Sequence, residues 1–270
     1  MNGGKNLEPG KVSICIVNYK TEELTRLCLR SIRKFTKYPY EMIVVDNDSK
    51  DASLDYLRSL SWIKLIERPE GVPKSGSWAQ GTGLDLGLKA ASSEFFLAMH
   101  SDTFVRKEGW LKWLVDFMLK DSALACAGSG KLEIKPTWQL FLKKYTDVQE
   151  WLRKLNPSSP RNDFYIRAIC ALYRTETLLN EDLNFTMKVD EGVTCGKQLY
   201  YELIDRKYKT LPISSYEMSE YVYHLAHATM VLNPEFTVRK HTEKKCRKSL
   251  MALLNSNAVQ SILKDDSLDK

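Results

Sequence analysis

The stretch Phe95-Phe-Leu-Ala-Met-His-Ser-Asp-Thr103 decides the fold class of this 270-residue chain. In it, an apolar run of strand length is followed at once by an acidic residue, Asp102. An earlier apolar run, Met42–Val45, ends in the same way on the segment Asp46–Ser49 (DNDS). In an open α/β sheet, ligands bind outside the carboxyl ends of the parallel strands. The two runs therefore predict carboxylates from two strands in one crevice, a grouping that suits a divalent cation or a ribose.

The bulk composition describes a chain that can form a sizeable core and that carries a positive charge. Hydrophobic residues make up 43% of the sequence, enough for one large core or for one domain with an appendage. The net charge of +6 fits an anionic ligand, a membrane surface or nucleic acid, or no specific partner. The basic residues are scattered and no basic-aromatic motif recurs, which argues against a nucleic-acid partner.

Cysteine usage and hydropathy are typical of a cytoplasmic protein. The six cysteines form no Cys-x-x-Cys pair, and Cys15 and Cys28 fall in apolar strand or helix patterns. We therefore expect reduced, mostly buried thiols. Residues 1–10 lack an apolar signal core and the longest apolar runs have strand length, so no transmembrane span is expected.

The first half of the chain alternates strand and helix patterns, which predicts an α/β fold. Four apolar runs have the pattern of strands: Val12–Val17, Tyr40–Val45, Trp62–Ile66 and Glu94–Met99. Helices are expected between them, after the caps Thr21 and Asp51 and over Ala79–Ala91. This order predicts right-handed βαβ units and a mostly parallel sheet.

The second half carries a more varied set of patterns. They predict a helix over Trp110–Leu119, strands over Leu124–Gly128, Tyr165–Tyr173 and Tyr221–Leu225, a helix within Val189–Arg206 and a basic helix from Arg239. An apolar stripe over 138–155 predicts an amphipathic helix. Core packing is the simplest interpretation of that stripe; a lid, a dimer contact and a membrane-facing helix are the alternatives.

Each of these polar groups and glycines also has a simpler interpretation. The segment Asp46–Ser49 could be a polar loop that ends in helix caps, and Asp102 could be a turn residue. Gly81, Gly83 and Gly87 follow the wrong strand, with the wrong spacing, for a dinucleotide fingerprint, so a helix packed tightly on the sheet explains them better. The order of the pieces is more specific than any one piece: strand-Asn-Tyr, strand-Asp, glycine-containing helix, strand-Asp.

In this order the chain resembles the inverting family 2 glycosyltransferases of the GT-A fold. The matching pieces are Ser13–Lys20 (SICIVNYK), Ile43–Ser49 (IVVDNDS), Gly81–Leu88 (GTGLDLGL) and Met99–Thr103 (MHSDT). They cover the first half of the chain well and the second half loosely. The resemblance implies a GT-A type nucleotide-diphospho-sugar transferase fold, with a mostly parallel central sheet flanked by helices.

The resemblance also assigns donor and metal ligands to the strand ends. It implies that the base and ribose of a UDP-, GDP- or dTDP-linked sugar are held by four residues, Asn18, Tyr19, Asp46 and Asp48. The last acid of the family's D-x-D triplet corresponds to Asp102, which would hold Mn²⁺ or Mg²⁺ against the diphosphate.

The triplet departs from the family pattern, because His100 replaces its first acid. In the family that acid mainly supports the sugar or the ribose, so His100 and Ser101 are expected on the donor side. The replacement bears on which donor binds and on how strongly the metal is held. The resemblance also implies that Asp85, on the glycine-containing helix, reaches the donor.

Two later segments match the family's acceptor side. Asp190 and Glu191 lie where the family has the acid that takes the proton from the attacking hydroxyl; alternatively they are a charge pair at a helix N-terminus. Within Tyr223–His227, His224 directly follows the predicted strand and resembles a histidine that binds the same metal in the family. Packed histidines are the alternative, and His-x-x-His alone is too weak a signal for a zinc site.

These matches predict a metal-dependent enzyme that transfers a sugar to an acceptor hydroxyl with inversion, in glycan or polysaccharide assembly. The alternatives are a non-catalytic sugar-nucleotide binding module and a sugar nucleotidyltransferase, which would carry a glycine-rich, arginine-containing loop where this chain has Asn18–Thr21. We expect a donor-binding half, 1–130, an acceptor half, 131–238, with a helical insertion at 131–163, and a basic C-terminal helix, 239–270.

The basic tail indicates where the protein could act. Residues 239–270 carry basic side chains beside Leu250, Leu253 and Leu254. Each basic residue near an anionic leaflet contributes on the order of 1 kcal/mol. We therefore expect peripheral contact with the inner membrane face and a glycan or lipid-linked acceptor. A solvated helix packed on the domain by its leucines is the alternative.

Overall fold

The computed structural model describes residues 5–69, 75–132, 164–233 and 235–270. Its strands are β1 Glu8–Asn18, β2 Tyr40–Asp46, β3 Ile63–Glu67, β4 Ser93–His100, β5 Thr103–Val105, β6 Leu124–Gly128, β7 Cys170–Arg174, β8 Lys209–Pro212 and β9 Val222–His224. Its helices are α1 Glu22–Phe35, α2 Ala52–Arg58, α3 Gly76–Ala90, α4 Trp110–Lys120, α5 Thr175–Asn180, α6 Lys197–Asp205, α7 Ser215–Tyr221, α8 Ala228–Leu232, α9 Lys240–Leu254 and α10 Asn257–Leu263.

A seven-stranded sheet in the order β3-β2-β1-β4-β7-β6-β8 forms the centre of the molecule. Strands β1 to β4 are mutually parallel, β7 runs antiparallel to β4 and β6, and β8 is parallel to β6. The predicted α/β fold with a mostly parallel sheet is therefore confirmed, and so are its first four strands. Their parallel register brings Asn18 beside Asp46 and Val17 beside His100, all at one edge of the sheet.

Helices cover both faces of this sheet, which explains why its strands are apolar along their whole length. Successive side chains of a strand point to opposite faces. In β1, Ile14 and Ile16 belong to one buried cluster, with α1, while Cys15 and Val17 belong to another, with α3. The cysteines follow the expectation: all six are free and buried.

The glycines of α3 allow close packing, as their spacing predicts. A Cβ atom on Gly83 would lie 2.6 Å from a methyl carbon of Val17, and one on Gly81 would lie 2.9 Å from a methyl carbon of Thr186. Bulkier residues would push α3 away from β1 and from the loop at Thr186. These glycines therefore serve the sheet and that loop, not a dinucleotide.

Some boundaries and caps differ from the predictions. Thr21 precedes α1 but makes no capping hydrogen bond, because its hydroxyl lies against that of Thr25, at 3.3 Å. Asp51 does cap α2, by accepting from the N–H of Ser53. The predicted strand Tyr165–Tyr173 is shorter, since β7 begins at Cys170 and the carbonyl of Ile169 is used by the chain after β4.

Two further differences concern the second half. The helix expected after Asp190 and Glu191 begins only at Lys197, behind Gly196 with its φ of +73°. The basic tail 239–270 is not one helix but two α-helices and the short 3-10 helix Asp266–Asp269, because α9 ends at Leu254 and the Ser256 hydroxyl caps α10. The amphipathic helix expected over 138–155 lies outside the described residues. In the ranges the structure describes, we find no helix with the length and apolarity to cross a membrane.

Candidate active site

A hydrogen-bonded network fixes the ends of β1 and β2. The amide of Asn18 donates to Asp46 Oδ1 at 2.6 Å and to the hydroxyls of Ser49 and Ser53 at 3.1 and 2.9 Å. The other carboxylate oxygen of Asp46 accepts from the N–H of Ser49 at 2.9 Å, and Thr25 donates to Asn18 Oδ1 at 2.7 Å. Asn18 and Asp46 are both buried. They therefore build a rigid floor for the loop that follows β2.

The next residues of that loop are held differently. Asp48 has a left-handed backbone with φ of +60° and its carboxylate lies 2.9 Å from Lys50 Nζ. Asn47 donates to the carbonyl of Ala79 at 3.1 Å and accepts from Arg68 at 2.7 Å. Sequence reasoning missed Arg68, although it directly follows β3, whose carboxyl end lies at the same sheet edge.

Tyr19 and Lys20 are bound by a residue from far along the chain. The Tyr19 hydroxyl donates to Glu235 Oε1 at 2.6 Å, and Lys20 Nζ lies 3.0 Å from the same oxygen. The hydrogen bond from Tyr19, followed by a backbone N–H and Lys20, lowers the pKa of Glu235 to about 2. The ring of Phe236 meets Tyr19 edge-on, with centroids 6.0 Å apart. Nothing local in the sequence marks Glu235 as a partner of β1.

The end of β4 carries a compact group of two histidines and one carboxylate. His224 Nε2 lies 3.3 Å from Asp102 Oδ1, and His100 Nδ1 lies 3.7 Å from the same oxygen. One ligand atom from each residue lies within 4.8 Å of the others. This arrangement depends on β5, which starts just after Asp102 and pairs antiparallel with β9, placing Thr103 opposite His224. The N–H of Leu225 donates to the carbonyl of Asp102 at 2.9 Å and extends this antiparallel pairing by one residue on each chain segment.

The electrostatics of the group suit a cation. Burial alone would raise the pKa of Asp102, but attraction to His224 and hydrogen bonds from His100 and His224 outweigh it and hold the pKa well below its usual range. Asp102 is therefore an ionised carboxylate that is only 6% exposed. The Nδ1 atom of His224 is buried without a hydrogen-bond partner. Two imidazoles and a carboxylate are ligands that divalent transition metals accept, so the residues present fit a metal ion.

Ser101 and Asp85 are the other two residues predicted to face the donor. Ser101 is buried and lies between His100 and Asp102 in the sequence. Asp85 accepts from the N–H of Phe185 at 2.6 Å and from the hydroxyl of Thr186 at 2.8 Å. Both of its oxygens thus bind the segment that leads to Asp190, and its donor role stays a prediction.

Asp190 and Glu191 are exposed and lie in turns between α5 and α6. The interpretation as a charge pair at a helix N-terminus is wrong, because the helix begins six residues after Glu191. Among the described residues, neither carboxylate forms a hydrogen bond or ion pair with His100, Asp102 or His224.

Comparisons with curated proteins point to one class of protein. The chain is 34% identical over 109 residues to a poly(ribitol-phosphate) beta-glucosyltransferase of Bacillus spizizenii, a stretch that makes up 38% of this chain and 16% of that protein. It is 26% identical over 118 residues to an uncharacterized glycosyltransferase of Haemophilus influenzae, 44% of this chain and 36% of the relative. The matched region therefore spans well under half of either relative.

Solved structures share the fold at low sequence identity. A mannosyltransferase from Pyrobaculum calidifontis, in complex with GDP-Man and Mn²⁺, has a TM-score of 0.54 at 15% identity and covers 75% of this chain and 54% of its own. TarS of S. aureus, in complex with UDP-GlcNAc, has a TM-score of 0.52 at 18% identity; the match covers 94% of this chain and 70% of that one. Glucosyl-3-phosphoglycerate synthase of Mycobacterium tuberculosis, in complex with Mn²⁺, UDP and glucosyl-3-phosphoglycerate, has a TM-score of 0.54 at 16% identity; the match covers 90% of this chain and 78% of that one.

These neighbours are GT-A glycosyltransferases, so the fold is that of the GT-A enzymes, as the sequence motifs predict. The model of glycosyl transferase family 2 matches residues 13–178. That stretch includes the ends of β1, β2 and β4 and amounts to more than half of the chain. The chain therefore belongs to glycosyl transferase family 2.

Proposed function

We propose that this protein transfers a sugar from a nucleotide-sugar donor to an acceptor hydroxyl, with inversion, in the assembly of a glycan or polysaccharide. The observation that carries the proposal is the group of His100, Asp102 and His224 beside the network of Asn18 and Asp46 at one sheet edge. A metal group next to an ordered strand-end loop suits a nucleoside diphosphate, whose charge and ribose need both. Solved neighbours of this fold hold UDP, UDP-GlcNAc or GDP-Man, which supports a UDP-, GDP- or dTDP-linked donor.

Donor binding falls to the first half of the chain, 1–130. Tyr19 and Asp48 hold the base and ribose, and Asn18 and Asp46 hold them through the loop that they order. His100 and Ser101 lie at the end of β4, next to β1, where the diphosphate and sugar would follow the ribose. We assign the acceptor to the second half, 131–238, which contributes Asp190 and Glu191.

Asp102 and His224 hold a divalent ion, Mn²⁺ or Mg²⁺. Such an ion neutralises the negative charge that develops on the leaving diphosphate. The site offers it the carboxylate of Asp102 and the Nε2 atom of His224, which lie 3.3 Å apart.

Asp190 or Glu191 acts as the general base. One of these carboxylates takes the proton of the acceptor hydroxyl, whose oxygen then forms a bond to the anomeric carbon while the bond from that carbon to the diphosphate oxygen breaks. Attack from the face opposite the nucleotide inverts the anomeric configuration. Both side chains are exposed and neither caps a helix, so both are open to an acceptor.

Calorimetry of UDP and GDP with Mn²⁺ tests the metal site. We expect Asp102→Asn to abolish metal-dependent nucleotide binding, with thermal unfolding unchanged within a few degrees. Asp55→Asn, on the exposed face of α2, is the matched control and should bind as the wild type does. If Asp102→Asn bound nucleotide and Mn²⁺ with unchanged affinity, the metal site would be refuted. If the wild type bound a donor but neither transferred nor hydrolysed its sugar, the proposal of an enzyme would be refuted.

We further propose that the protein works in the cytoplasm, in peripheral contact with the inner membrane face, on a lipid-linked acceptor. Lys244, Lys245 and Lys248 are exposed on α9 and support this contact. The leucines of the tail do not, because Leu250 is buried and Leu253 packs against the core. Membrane contact would therefore depend on charge alone and weaken as salt rises.

A further inference from the structure

The group at the end of β4 offers a metal ion two imidazoles and one carboxylate, whereas the family's D-x-D triplet offers two carboxylates. Its two imidazole nitrogens lie 3.3 and 3.7 Å from one oxygen of Asp102, and the rings of His100 and His224 are 5.5 Å apart at 75° to each other. Ligand atoms that share one ion at about 2.1 Å lie about 3 Å apart. The three side chains are therefore close to the spacing that a single ion requires.

We propose that His100 is a third protein ligand of this ion, and that the set of two imidazoles and one carboxylate selects Mn²⁺ and Co²⁺ over Mg²⁺. This inference rests on the metal site of the proposed function and specifies the metal that the site takes. Mg²⁺ binds oxygen ligands in strict octahedral geometry and keeps several waters, whereas imidazole suits the first-row transition metals. Three protein ligands on one side of the ion leave its other positions for diphosphate oxygens.

The setting of His100 supports a ligand role. Its main chain is fixed, because its N–H donates to the carbonyl of Ile169 at 3.1 Å. Its side chain is 34% exposed, so the ring borders the open side of the group, while Asp102 and His224 are 6% and 7% exposed beneath it. Asp102 and His224 thus form the buried part of the group, and His100 lies at its solvent-accessible border.

The setting of His224 fits the same ion. Its Nε2 atom lies 3.3 Å from Asp102 Oδ1 and is the nitrogen that would bind the ion together with that oxygen. The residue is held at this position because β9 pairs with β5 and places His224 opposite Thr103.

Metal binding measured without donor or acceptor tests the inference apart from catalysis. We expect Mn²⁺, followed by electron paramagnetic resonance, to bind the wild type and to show coupling to two imidazole nitrogens in spin-echo spectra. His100→Ala should weaken Mn²⁺ binding at least tenfold and leave one coupled nitrogen. His100→Asp should restore Mn²⁺ binding. The molar excess of Mg²⁺ that displaces Mn²⁺ from this variant should be roughly a tenth of the excess that displaces it from the wild type. His241→Ala, on the exposed start of α9, is the control and should match the wild type.

Three results would overturn the inference. The first is Mn²⁺ affinity in His100→Ala equal to that of the wild type. The second is a single coupled nitrogen in the wild type, and the third is equal competition by Mg²⁺ in the wild type and in His100→Asp. A thermal unfolding transition for each variant serves as the control that it is folded. If a variant is not folded, His100→Gln takes its place. A wild type that binds Mn²⁺ through two nitrogens but transfers no sugar would refute the proposed function and leave this inference standing.

Discussion

Replacing Asp85 with alanine should uncouple the loop that carries Asp190 from helix α3. Asp85 binds the N–H of Phe185 at 2.6 Å and the hydroxyl of Thr186 at 2.8 Å, with one oxygen for each. Gly81 lets the same loop approach the helix, since a Cβ atom there would lie 3.2 Å from the carbonyl of Phe185. We therefore expect Asp85 to be a positioning residue for the acceptor side, whereas the family resemblance places it at the donor.

The size of the effect follows from these contacts. Each hydrogen bond to an ionised carboxylate contributes about 1.5–3 kcal/mol, so the two together contribute about 3–6 kcal/mol. Burial is the largest influence on the pKa of Asp85 and raises it, although the hydrogen bonds from Phe185 and Thr186 act to lower it. The ionised carboxylate therefore also has a desolvation cost. Alanine removes that cost with the bonds, which leaves a net loss of about 1–3 kcal/mol in unfolding free energy. For a chain of this size, Tm falls about 2–4 °C for each kcal/mol.

The pH dependence has a definite sign. An acid whose pKa is raised in the folded state binds more protons there, so its contribution to stability falls as pH rises above its ordinary value of 3.8. The difference in unfolding free energy between the wild type and Asp85→Ala should therefore narrow as pH rises from that value through the raised pKa. Urea unfolding at several pH values measures it.

Steady-state kinetics and calorimetry separate the two roles of Asp85. We expect the Kd for nucleoside diphosphate to stay within about twofold while kcat falls about 10–100-fold, because a misplaced base costs rate rather than donor affinity. Asp55→Ala, on a side chain that is 79% exposed, should change neither quantity. A tenfold loss of donor affinity with kcat unchanged would show that Asp85 contacts the donor, and unchanged stability and kcat would refute the positioning role.

Two further predictions concern the C-terminal tail. Arg30 is fully buried and binds Asp269 through Nε at 2.9 Å, so Arg30→Met should lower the unfolding free energy by about 2–3 kcal/mol in urea titrations; a loss below 0.5 kcal/mol would contradict this. In vesicle sedimentation at low salt, the double charge reversal Lys244→Glu and Lys245→Glu should lower binding to anionic lipid roughly 30-fold, at about 1 kcal/mol for each lost contact. Equal pelleting of the variant and the wild type would refute membrane contact through α9.

The first half of the molecule could be predicted from sequence because its signals are local. A strand buried on both faces is apolar throughout, and the polar residue that follows marks where it leaves the sheet. Parallel strands joined by right-handed crossovers then place their carboxyl ends together, which is why Asn18 and Asp46 were expected at one edge and are found there. No distant information is needed for this step.

The second half could not be predicted as well, because its boundaries depend on distant partners. The carbonyl of Ile169 accepts from the N–H of His100 and from the hydroxyl of Thr103, so the chain at that point serves the turn after β4 instead of extending β7. Glu235 accepts a hydrogen bond from Tyr19 and pairs with the charge of Lys20, although most of the sequence separates it from both residues. Neither contact can be predicted from hydrophobic periodicity in a window of ten or fifteen residues, because the partners are much farther apart in the sequence.

The metal group shows most clearly what such long-range pairing adds. His100 and Asp102 are neighbours in sequence, but His224 meets them only because β5 and β9, three residues each, pair with one another. Helix α9 lies close behind this pair: Cys246 is buried there, and that burial, with the charge of Asp102, raises the pKa of its thiol to about 11. The tail that the sequence pattern assigned to a membrane thus also packs into the buried cluster that contains Val222 of β9. Deleting it to test membrane binding would disturb that cluster, which is why charge reversal on its exposed face is the cleaner experiment.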